Sequence, residues 1–321
     1  MVKQMTTSVA MCTYNGAQFI EKQLNSILNQ SLPIDEIVIC DDGSTDGTIT
    51  IIQQYINRFP NRIFLHQNKK ALGVCANFAK AIELCTKDCI FLSDQDDVWI
   101  KDKAQIVVTY FERHPEKSVI ISNAKLIDDL GQQISNFTLF DVVGLTEQLE
   151  YFDKGFAMEI FLQANRATGC TMAICQKFKP HIYINLAACT NTQYQIHDGC
   201  IAMSAIIKNM LGYISVPLTL YRQHLSQICG LGDYISTPLH FPSPLIRLTN
   251  INVNYGISHP RIEMQTDRNR YIQSKGGILL HINKYYKIYG VTKMWCIMFY
   301  DIYKRITWII LCGLNFFKKH D

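Results

Sequence analysis

The sequence lacks several patterns that would assign it to a common class of protein. Its 12 cysteines include no Cys-x-x-Cys pair, so the spacing typical of a structural zinc site is missing. It also has no Gly-x-Gly-x-x-Gly motif, which argues against a dinucleotide-binding enzyme. Low-complexity segments and internal repeats are missing too. With 48% hydrophobic residues in 321, the chain can bury a substantial core and is expected to fold.

The net charge is small outside the C-terminal tail. The net charge is +4, but from Lys284 onward seven Lys/Arg stand against two Asp, so the preceding residues are slightly acidic. The charge of the chain before the tail therefore gives no indication that it binds nucleic acid. The N-terminus lacks a signal-peptide pattern, and the uncharged run 306–317 is too short to span a bilayer. We expect a cytoplasmic protein with buried, reduced thiols.

The first two thirds of the chain alternate between strand-like and helix-like segments. Strands are predicted at Ser8–Thr13, Glu36–Cys40, Ile63–His66, Cys89–Ser93, Ser118–Ser122 and Tyr213–Tyr221. Helices are predicted over residues 20–28, 74–84 and 102–113. Two more are predicted to begin at Asp46, which would cap the first of them, and at Asp198. This order predicts an α/β fold with a mostly parallel sheet and helices on both faces. We expect a catalytic domain over residues 1–225 and an irregular, then helical region over 226–321.

Three polar segments follow predicted strands. Thr13-Tyr14-Asn15 follows the first, Asp41-Asp42 the second and Asp94-Gln95-Asp96-Asp97 the fourth. Ligands of an open parallel sheet bind where its strands end. Carboxylates held as Asp-x-Asp repel each other unless a cation lies between them, and their oxygens suit Mg²⁺ or Mn²⁺ that also binds diphosphate. For Asp41 and Asp46, ordinary turn and cap chemistry is an alternative, which we prefer for Asp46.

Three motifs together resemble family 2 glycosyltransferases. They are Cys12-Thr13-Tyr14-Asn15-Gly16, Asp41-Asp42-Gly43-Ser44-Thr45-Asp46-Gly47-Thr48 and Ser93-Asp94-Gln95-Asp96-Asp97-Val98-Trp99. The resemblance covers roughly residues 8–224. It implies a GT-A fold, a nucleoside diphosphate sugar as donor, a glycan or lipid-linked acceptor, and inversion at the anomeric carbon of the transferred sugar.

The resemblance also implies roles for residues of the donor site. Tyr14 and Asp42 should contact the nucleoside, with Thr13 and Asn15 beside them. Asp94 should hold the ribose side of the donor, and Asp96 the metal. Asn77 matches a position that lines the nucleotide pocket, although a polar helix face explains it equally well.

The second part of the chain supplies the remaining candidates. Asp198 matches the position of the family's general base, which takes the proton of the acceptor hydroxyl; the alternative is that it serves as an N-cap. His197 could orient this base or serve in packing. Arg222 resembles a residue that closes over the diphosphate, with a surface salt bridge as the alternative, and His224 could complete the metal site. Cys170 needs no nucleophilic role, because inverting transfer has no covalent intermediate.

The tail carries apolar residues on one helical face: Trp295, Met298, Phe299, Ile302, Ile306, Ile309 and Ile310. Lys304 and Arg305 lie opposite. Such a helix suits an anionic membrane surface, so a peripheral position at the inner face of the plasma membrane is expected. Docking of this helix on the catalytic domain is the alternative.

Two other functions stay open. A sugar nucleotidyltransferase would use a similar sheet and metal, but it normally has a Gly-rich loop after the first strand, where this chain has one glycine, Gly16. A catalytically inactive sugar-nucleotide-binding partner would not need Asp94, Asp96 and Asp198 together. The Asp94–Trp99 motif resembles that of bacterial rhamnosyltransferases of cell-surface polysaccharide synthesis, so dTDP-rhamnose is the leading candidate for the donor.

Overall fold

The structure, a computed structural model, describes residues 4–182, 184, 196–224, 227 and 231, which all belong to one compact unit. Its strands are β1 (Thr7–Thr13), β2 (Glu36–Asp41), β3 (Ile63–Gln67), β4 (Cys89–Ser93), β5 (Val98–Trp99), β6 (Val119–Ile127), β7 (Gln133–Thr138), β8 (Met172–Cys175) and β9 (Leu211–Arg222). Its helices are α1 (Ile20–Leu28), α2 (Thr48–Arg58), α3 (Val74–Leu84), α4 (Lys103–Arg113), α5 (Leu139–Val142), α6 (Leu149–Tyr151), α7 (Ala157–Gln163) and α8 (His197–Ile207).

The described strands form one sheet in the order β3-β2-β1-β4-β8-β6-β9-β5, with β7 paired to β6. β1 to β4 pair in parallel, as predicted, and so do β6 and β9. β8 is antiparallel to both β4 and β6, and the pairs β6–β7 and β5–β9 are antiparallel too. The sheet is therefore mixed, which corrects the prediction of a mostly parallel one. A tight turn joins β6 to β7, where Asp128 N–H donates to Gln132 O, and such a turn suits antiparallel strands.

Helices cover both faces of the parallel strands, as predicted. On one face α1, α2 and α4 contribute to a buried cluster that includes Val9, Met11, Leu24, Ile37, Ile39, Ile52 and Val107. The buried apolar residues of α3 lie outside this cluster, and α3 packs against β1 and β2. Because successive side chains of a strand point to opposite faces, α3 covers the other face.

Two helix starts differ from those predicted. The N-cap of α2 is Gly47, not Asp46, whose carboxylate instead accepts from the N–H of Thr48 at 2.9 Å. The N-cap of α8 is Ile196, so Asp198 lies in the first turn and is not the cap. An N-cap residue has a non-helical backbone, and Ile196 is extended, with φ −85° and ψ 165°.

The described part of the chain contains no disulfide, and its cysteines are buried except Cys12, which is partly buried. Within the same residues, no helix is long and apolar enough to cross a membrane. The amphipathic tail from Trp295 lies outside the described residues, and the domain boundary after residue 225 stays a prediction.

Candidate active site

The sheet brings the three polar segments to one edge. β1 lies between β2 and β4, and its register pairs Thr13 with Asp41 and Met11 with Ser93. The three parallel strands thus end at nearly the same level, and the loops that follow them are neighbours. The negative charges of Asp94 and Asp42 both contribute to the raised pKa of the Cys12 thiol, after burial as the main cause. The predicted convergence of these segments is therefore observed.

Asp41 shapes the loop after β2. Its carboxylate is 1% exposed and accepts from the Thr13 hydroxyl at 2.7 Å, from the Gly43 N–H at 3.1 Å and from the Ser44 N–H at 2.9 Å. These bonds are turn chemistry, the alternative considered for this residue. Thr13 is itself buried, so its hydroxyl supports the loop.

Asn15 joins the loops after β1 and β2. Its N–H donates to the Ser44 hydroxyl at 2.8 Å, and its side-chain oxygen accepts from the Thr45 N–H at 2.8 Å. Its φ of +47° lies in the left-handed region, which asparagine tolerates better than most residues. The contact between the two loops explains why asparagine suits this position.

Asp42 is oriented by the segment before α3. Its Oδ1 accepts from the side-chain amide of Asn68 at 2.8 Å and from the Leu72 N–H at 2.7 Å, and its Oδ2 accepts from the Gly73 N–H at 2.8 Å. Asn77 is buried and donates to Cys40 O at 2.8 Å while accepting from Asn68 at 2.8 Å. The oxygen and the nitrogen of the Asn77 side-chain amide thus both have partners within the protein. Direct contact of Asn77 with a nucleotide stays a prediction.

The carboxylates that follow β4 form a like-charged cluster. Burial raises the pKa of Asp94 well above its usual value, and the charges of Asp96, Asp97 and Asp198 raise it further. Burial and the neighbouring Asp96 raise the pKa of Asp97 to about 7. Because the charge of Asp198 contributes to the raised pKa of Asp94, the candidate base lies in the same cleft as the aspartate loop.

Lys103 is a buried cation beneath this cluster. Its ammonium group is 1% exposed, donates to Cys170 O at 2.8 Å and to the Thr219 hydroxyl at 2.9 Å, and lies 4.3 Å from the centre of the Trp99 ring. Burial lowers the pKa of Lys103 to about 8, against the opposing effect of Asp97 and Asp94. Lys103 therefore offsets part of the negative charge from inside the fold.

Replacing Lys103 with methionine is expected to lower the free energy of unfolding by about 3 kcal/mol, because it leaves buried carboxylates without their internal cation. Urea unfolding at neutral pH in a chelator measures this loss. Lys101→Met, at an exposed position two residues earlier, is the matched control and should change stability little. Equal, small losses for both variants would show that Lys103 does not stabilise the cluster.

The two residues predicted to bind metal are in contact. His224 Nε2 lies 2.8 Å from Asp96 Oδ2, and the imidazole packs on Phe19 with ring centres 4.7 Å apart. A second set of possible metal ligands comes from Asp94, Asp97 and Cys170, whose ligand atoms all lie within 4.8 Å of one another. The ammonium of Lys103 lies beside this second group and disfavours another cation there, so we favour Asp96 and His224.

A divalent cation fits the residues of this cleft. After burial as the main cause in both, the charges of Asp96, Asp97 and Asp198 raise the pKa of Asp94, and the charge of Asp96 raises the pKa of Asp97. Carboxylate oxygens with one imidazole suit Mg²⁺ or Mn²⁺. Such an ion would relieve this repulsion.

Arg222 is the last residue of β9 and lies against the aspartate loop. It is 1% exposed, its N–H donates to Asp97 Oδ1 at 2.9 Å, and its guanidinium donates to Asp96 O at 2.6 Å and to Asp128 O at 2.7 Å. It forms no salt bridge with the residues that the structure describes, and its burial excludes the surface salt bridge considered as the alternative. Its guanidinium holds the backbone of the aspartate loop, and contact with a diphosphate stays a prediction.

Asp198 is held by three donors. Its Oδ1 accepts from the Asn165 amide at 2.9 Å and from the Gly199 N–H at 2.5 Å, and its Oδ2 accepts from the Gly169 N–H at 3.1 Å. Burial raises the pKa of Asp198 to about 6, although these hydrogen bonds oppose the shift. The carboxylate is thus ionised at neutral pH and more basic than an exposed aspartate, as a general base requires.

His197 packs beside this base. Its ring stacks on Phe78 with centres 4.0 Å apart and 13° between the planes. It is 4% exposed, and within the described residues neither ring nitrogen has a hydrogen-bond partner. Burial lowers the pKa of His197 to about 3, so the ring is neutral. These observations favour packing over orientation of the base or the acceptor.

Several residues of the site were missed from the sequence. Lys103 carried a usable signal, because it precedes Val107 and Phe111 at i, i+4 and i+8 on the buried face of α4. Asn165 carried none, since its role depends on a contact with Asp198, 33 residues away. Gln95 lies within the motif, and its contacts across the site had no sequence signal.

Residues 8–178, more than half of the chain, match the family model described as Glycosyl transferase family 2. The chain belongs to this family. It is 31% identical to dTDP-rhamnosyl transferase RfbG of Shigella flexneri over 229 residues, which are 68% of this chain and 73% of RfbG. It is 36% identical to abequosyltransferase RfbV of Salmonella typhimurium over 111 residues, 34% of this chain and 33% of RfbV. It is 32% identical to chondroitin synthase of Escherichia coli over 129 residues, 40% of this chain and 18% of that enzyme.

Solved structures support the same fold for this glycosyl transferase family 2 member. The crystal structure of S. aureus TarS 1–349 in complex with UDP matches with a TM-score of 0.54 and 16% identity, over 86% of this chain and 74% of that chain. The chain thus has a mixed α/β sheet similar to that of GT-A glycosyltransferases. The chain spans less than two thirds of the length of two of these relatives, chondroitin synthase and RfbV.

Proposed function

We propose that this glycosyltransferase inverts the anomeric carbon as it moves a sugar from a nucleoside diphosphate sugar to an acceptor hydroxyl. The observation that carries the proposal is the position of Asp198, a buried carboxylate with a pKa of about 6 whose charge acts on Asp94. A base on one side of the donor and a cation site at the other side are what a direct displacement needs. An inactive binding partner would not need this pairing.

The donor is a nucleoside diphosphate sugar, with dTDP-rhamnose as the leading candidate. Its support is the similarity to dTDP-rhamnosyl transferase RfbG over two thirds of the chain. The TarS structure that shares this fold holds UDP, which supports a nucleotide at the ends of β1, β2 and β4. Tyr14, 46% exposed at this edge, and Asp42 are proposed to contact the nucleoside.

A divalent cation, Mg²⁺ or Mn²⁺, is proposed to bind Asp96 and His224. When bound, it would stabilise negative charge on the departing nucleoside diphosphate. Asp94 is proposed to hold the ribose side of the donor. Lys103 and Arg222 keep the aspartate loop in place, the first by its charge and the second through backbone carbonyl groups.

The acceptor is proposed to be a glycan or a lipid-linked glycan of a bacterial cell-surface polysaccharide. The similarity to chondroitin synthase, which by its name forms a polysaccharide, supports a glycan acceptor. The basic amphipathic tail supports a cytoplasmic protein bound to the inner face of the plasma membrane. Loss of binding to anionic vesicles on removal of residues 293–321 would support this location, and unchanged binding would contradict it.

The nucleobase of the donor tests the proposed contact between Asp42 and the nucleoside. Two protein groups donate to Oδ1 of Asp42 and one to Oδ2, which leaves Oδ2 able to accept one more hydrogen bond. Uracil and thymine offer an N–H there, whereas the equivalent cytosine nitrogen is an acceptor that a carboxylate opposes.

We therefore expect UDP and dTDP to bind at least about 10-fold more tightly than CDP, because the mismatched base leaves a buried acceptor unpaired. Guanosine diphosphate should also bind more weakly than either. Titration calorimetry in Mn²⁺ with the four nucleotides measures these affinities. Tighter binding of CDP or guanosine diphosphate would contradict the role of Asp42.

A further inference from the structure

The side chain of Gln95 bridges two loops of the site. Although it lies between Asp94 and Asp96, its amide reaches the loop after β1. Oε1 accepts from the Tyr14 N–H at 2.9 Å, and Nε2 donates to Tyr14 O at 2.9 Å. One side chain therefore pairs both polar backbone groups of Tyr14, much as a neighbouring strand would. The contact joins the aspartate loop to a segment 81 residues earlier in the chain.

Gly16 also lies against the Gln95 amide. A Cβ atom at this position would lie 2.1 Å from Oε1 and 2.3 Å from Cδ of Gln95. No real carbon contact is that short. Gly16 is not among the described glycines with positive φ, so its backbone does not require glycine. A larger residue at position 16 would therefore displace the Gln95 amide, the end of a flexible side chain, from its contacts with Tyr14.

These contacts fix the backbone on which the Tyr14 ring is carried. The residues on either side are also tied down, Thr13 to Asp41 and Asn15 to Ser44. The Tyr14 side chain itself is 46% exposed at the rim of the site. Its direction is thus set by backbone hydrogen bonds, and those at Tyr14 come from the loop that carries Asp96.

We propose that Gln95 is a positioning residue that fixes Tyr14 against the nucleoside of the donor. It thereby couples the nucleoside end of the site to the end that carries Asp96. The inference rests on the proposed function, in which Tyr14 contacts the nucleoside. Glutamate could not replace Gln95, because a carboxylate cannot donate to Tyr14 O.

Four proteins test the proposal: the wild type, Gln95→Ala, Gly16→Ala and the double variant. Affinities for dTDP and UDP in Mn²⁺ are measured by calorimetry, and thermal unfolding midpoints are measured without nucleotide. Each single variant should bind nucleotide about 10-fold more weakly, the usual consequence of losing one or two hydrogen bonds. The double variant should be no weaker than Gln95→Ala, because the three atoms nearest to the added Cβ all belong to Gln95.

Two matched controls accompany these variants. A Cβ at Gly47, the N-cap of α2, meets Ala17 at an ordinary 3.7 Å, so Gly47→Ala should leave nucleotide affinity unchanged, with a small fall in the unfolding midpoint because alanine is a poorer N-cap. Gln105→Ala removes an exposed glutamine of α4 that bonds to Thr109, and it should also leave nucleotide affinity unchanged.

The possible results are distinguishable. Unchanged nucleotide affinity in Gln95→Ala would overturn the positioning role, even if its unfolding midpoint fell. Additive losses, about 100-fold in the double variant, would overturn the coupling to Gly16. If the wild type bound neither nucleotide, the proposed function would fail and with it the role of Gln95 towards the nucleoside. The unfolding midpoints would then still show whether Gly16 and Gln95 act together.

Discussion

Replacing Asp198 with asparagine is expected to lower the rate of sugar transfer by about 10²- to 10⁴-fold, the usual contribution of a positioned general base. The asparagine oxygen can still accept from Asn165 and Gly199, but its amide nitrogen would face the Gly169 N–H. One hydrogen bond is thus lost, at a cost of about 1 kcal/mol in stability. Initial rates of the variant and the wild type, with the same donor and acceptor, measure the effect.

The controls for Asp198→Asn separate chemistry from folding. Affinity for the nucleoside diphosphate and for Mn²⁺ should change little, because Asp198 is proposed to bind neither. Asp153→Asn alters an exposed carboxylate that bonds to Tyr213 and should transfer sugar normally. Transfer by Asp198→Asn at near the wild-type rate would show that the base lies elsewhere, and an equal loss of nucleotide binding would show a damaged fold.

The pH dependence of transfer carries the same assignment. A base works when ionised, and burial raises the pKa of Asp198 to about 6, so transfer should fall as the pH drops through about 6. His197, with its pKa lowered to about 3, stays neutral in this range. Asp94, with its raised pKa, and Asp97, with its pKa raised to about 7, lie in the same cleft, so nucleotide affinity is measured at each pH to separate loss of the base from loss of donor binding. A rate that stays constant down to pH 4.5 would contradict the assignment.

Replacing Asp96 with alanine is expected to lower transfer by about 10³-fold, because the departing diphosphate loses the cation that stabilises its charge. Binding of Mn²⁺, followed by calorimetry, should be lost in parallel. Asp102→Ala removes an exposed aspartate whose side chain makes no capping bond, and it should leave both quantities unchanged. Full activity of the wild type in excess chelator would show that transfer does not need a metal ion.

The parallel part of the fold was predictable because its signals are local. Each of β1, β2 and β4 is an apolar run that ends in a polar segment, and α3 and β4 have the bounds that periodicity predicts. The rest depends on distant contacts. β5 has two residues, and β8 is recognisable as a strand mainly because it pairs with β4 and β6.

The candidate site shows the same division. Residue type and position after a strand were enough to select Asp42 and Asp96, whereas Asp198 was selected through the family resemblance, since an aspartate at a helix start is often only a cap. They could not show that Arg222 binds backbone carbonyl groups, because an arginine beside a phosphate site has the same sequence pattern. They did not select Lys103 either, since a lysine at a helix start is usually exposed, and only its spacing with Val107 and Phe111 indicated a buried position.

The release of nucleoside diphosphate from a panel of nucleotide sugars tests the central claim most directly. The wild-type chain in Mn²⁺ is incubated with uridine, thymidine, cytidine and guanosine diphosphate sugars, with Asp198→Asn in parallel. We predict release from at least one uridine or thymidine donor, with dTDP-rhamnose first, and a much slower release by the variant. No release from any donor, or equal release by Asp198→Asn, would contradict the claim that this chain transfers sugar with Asp198 as its base.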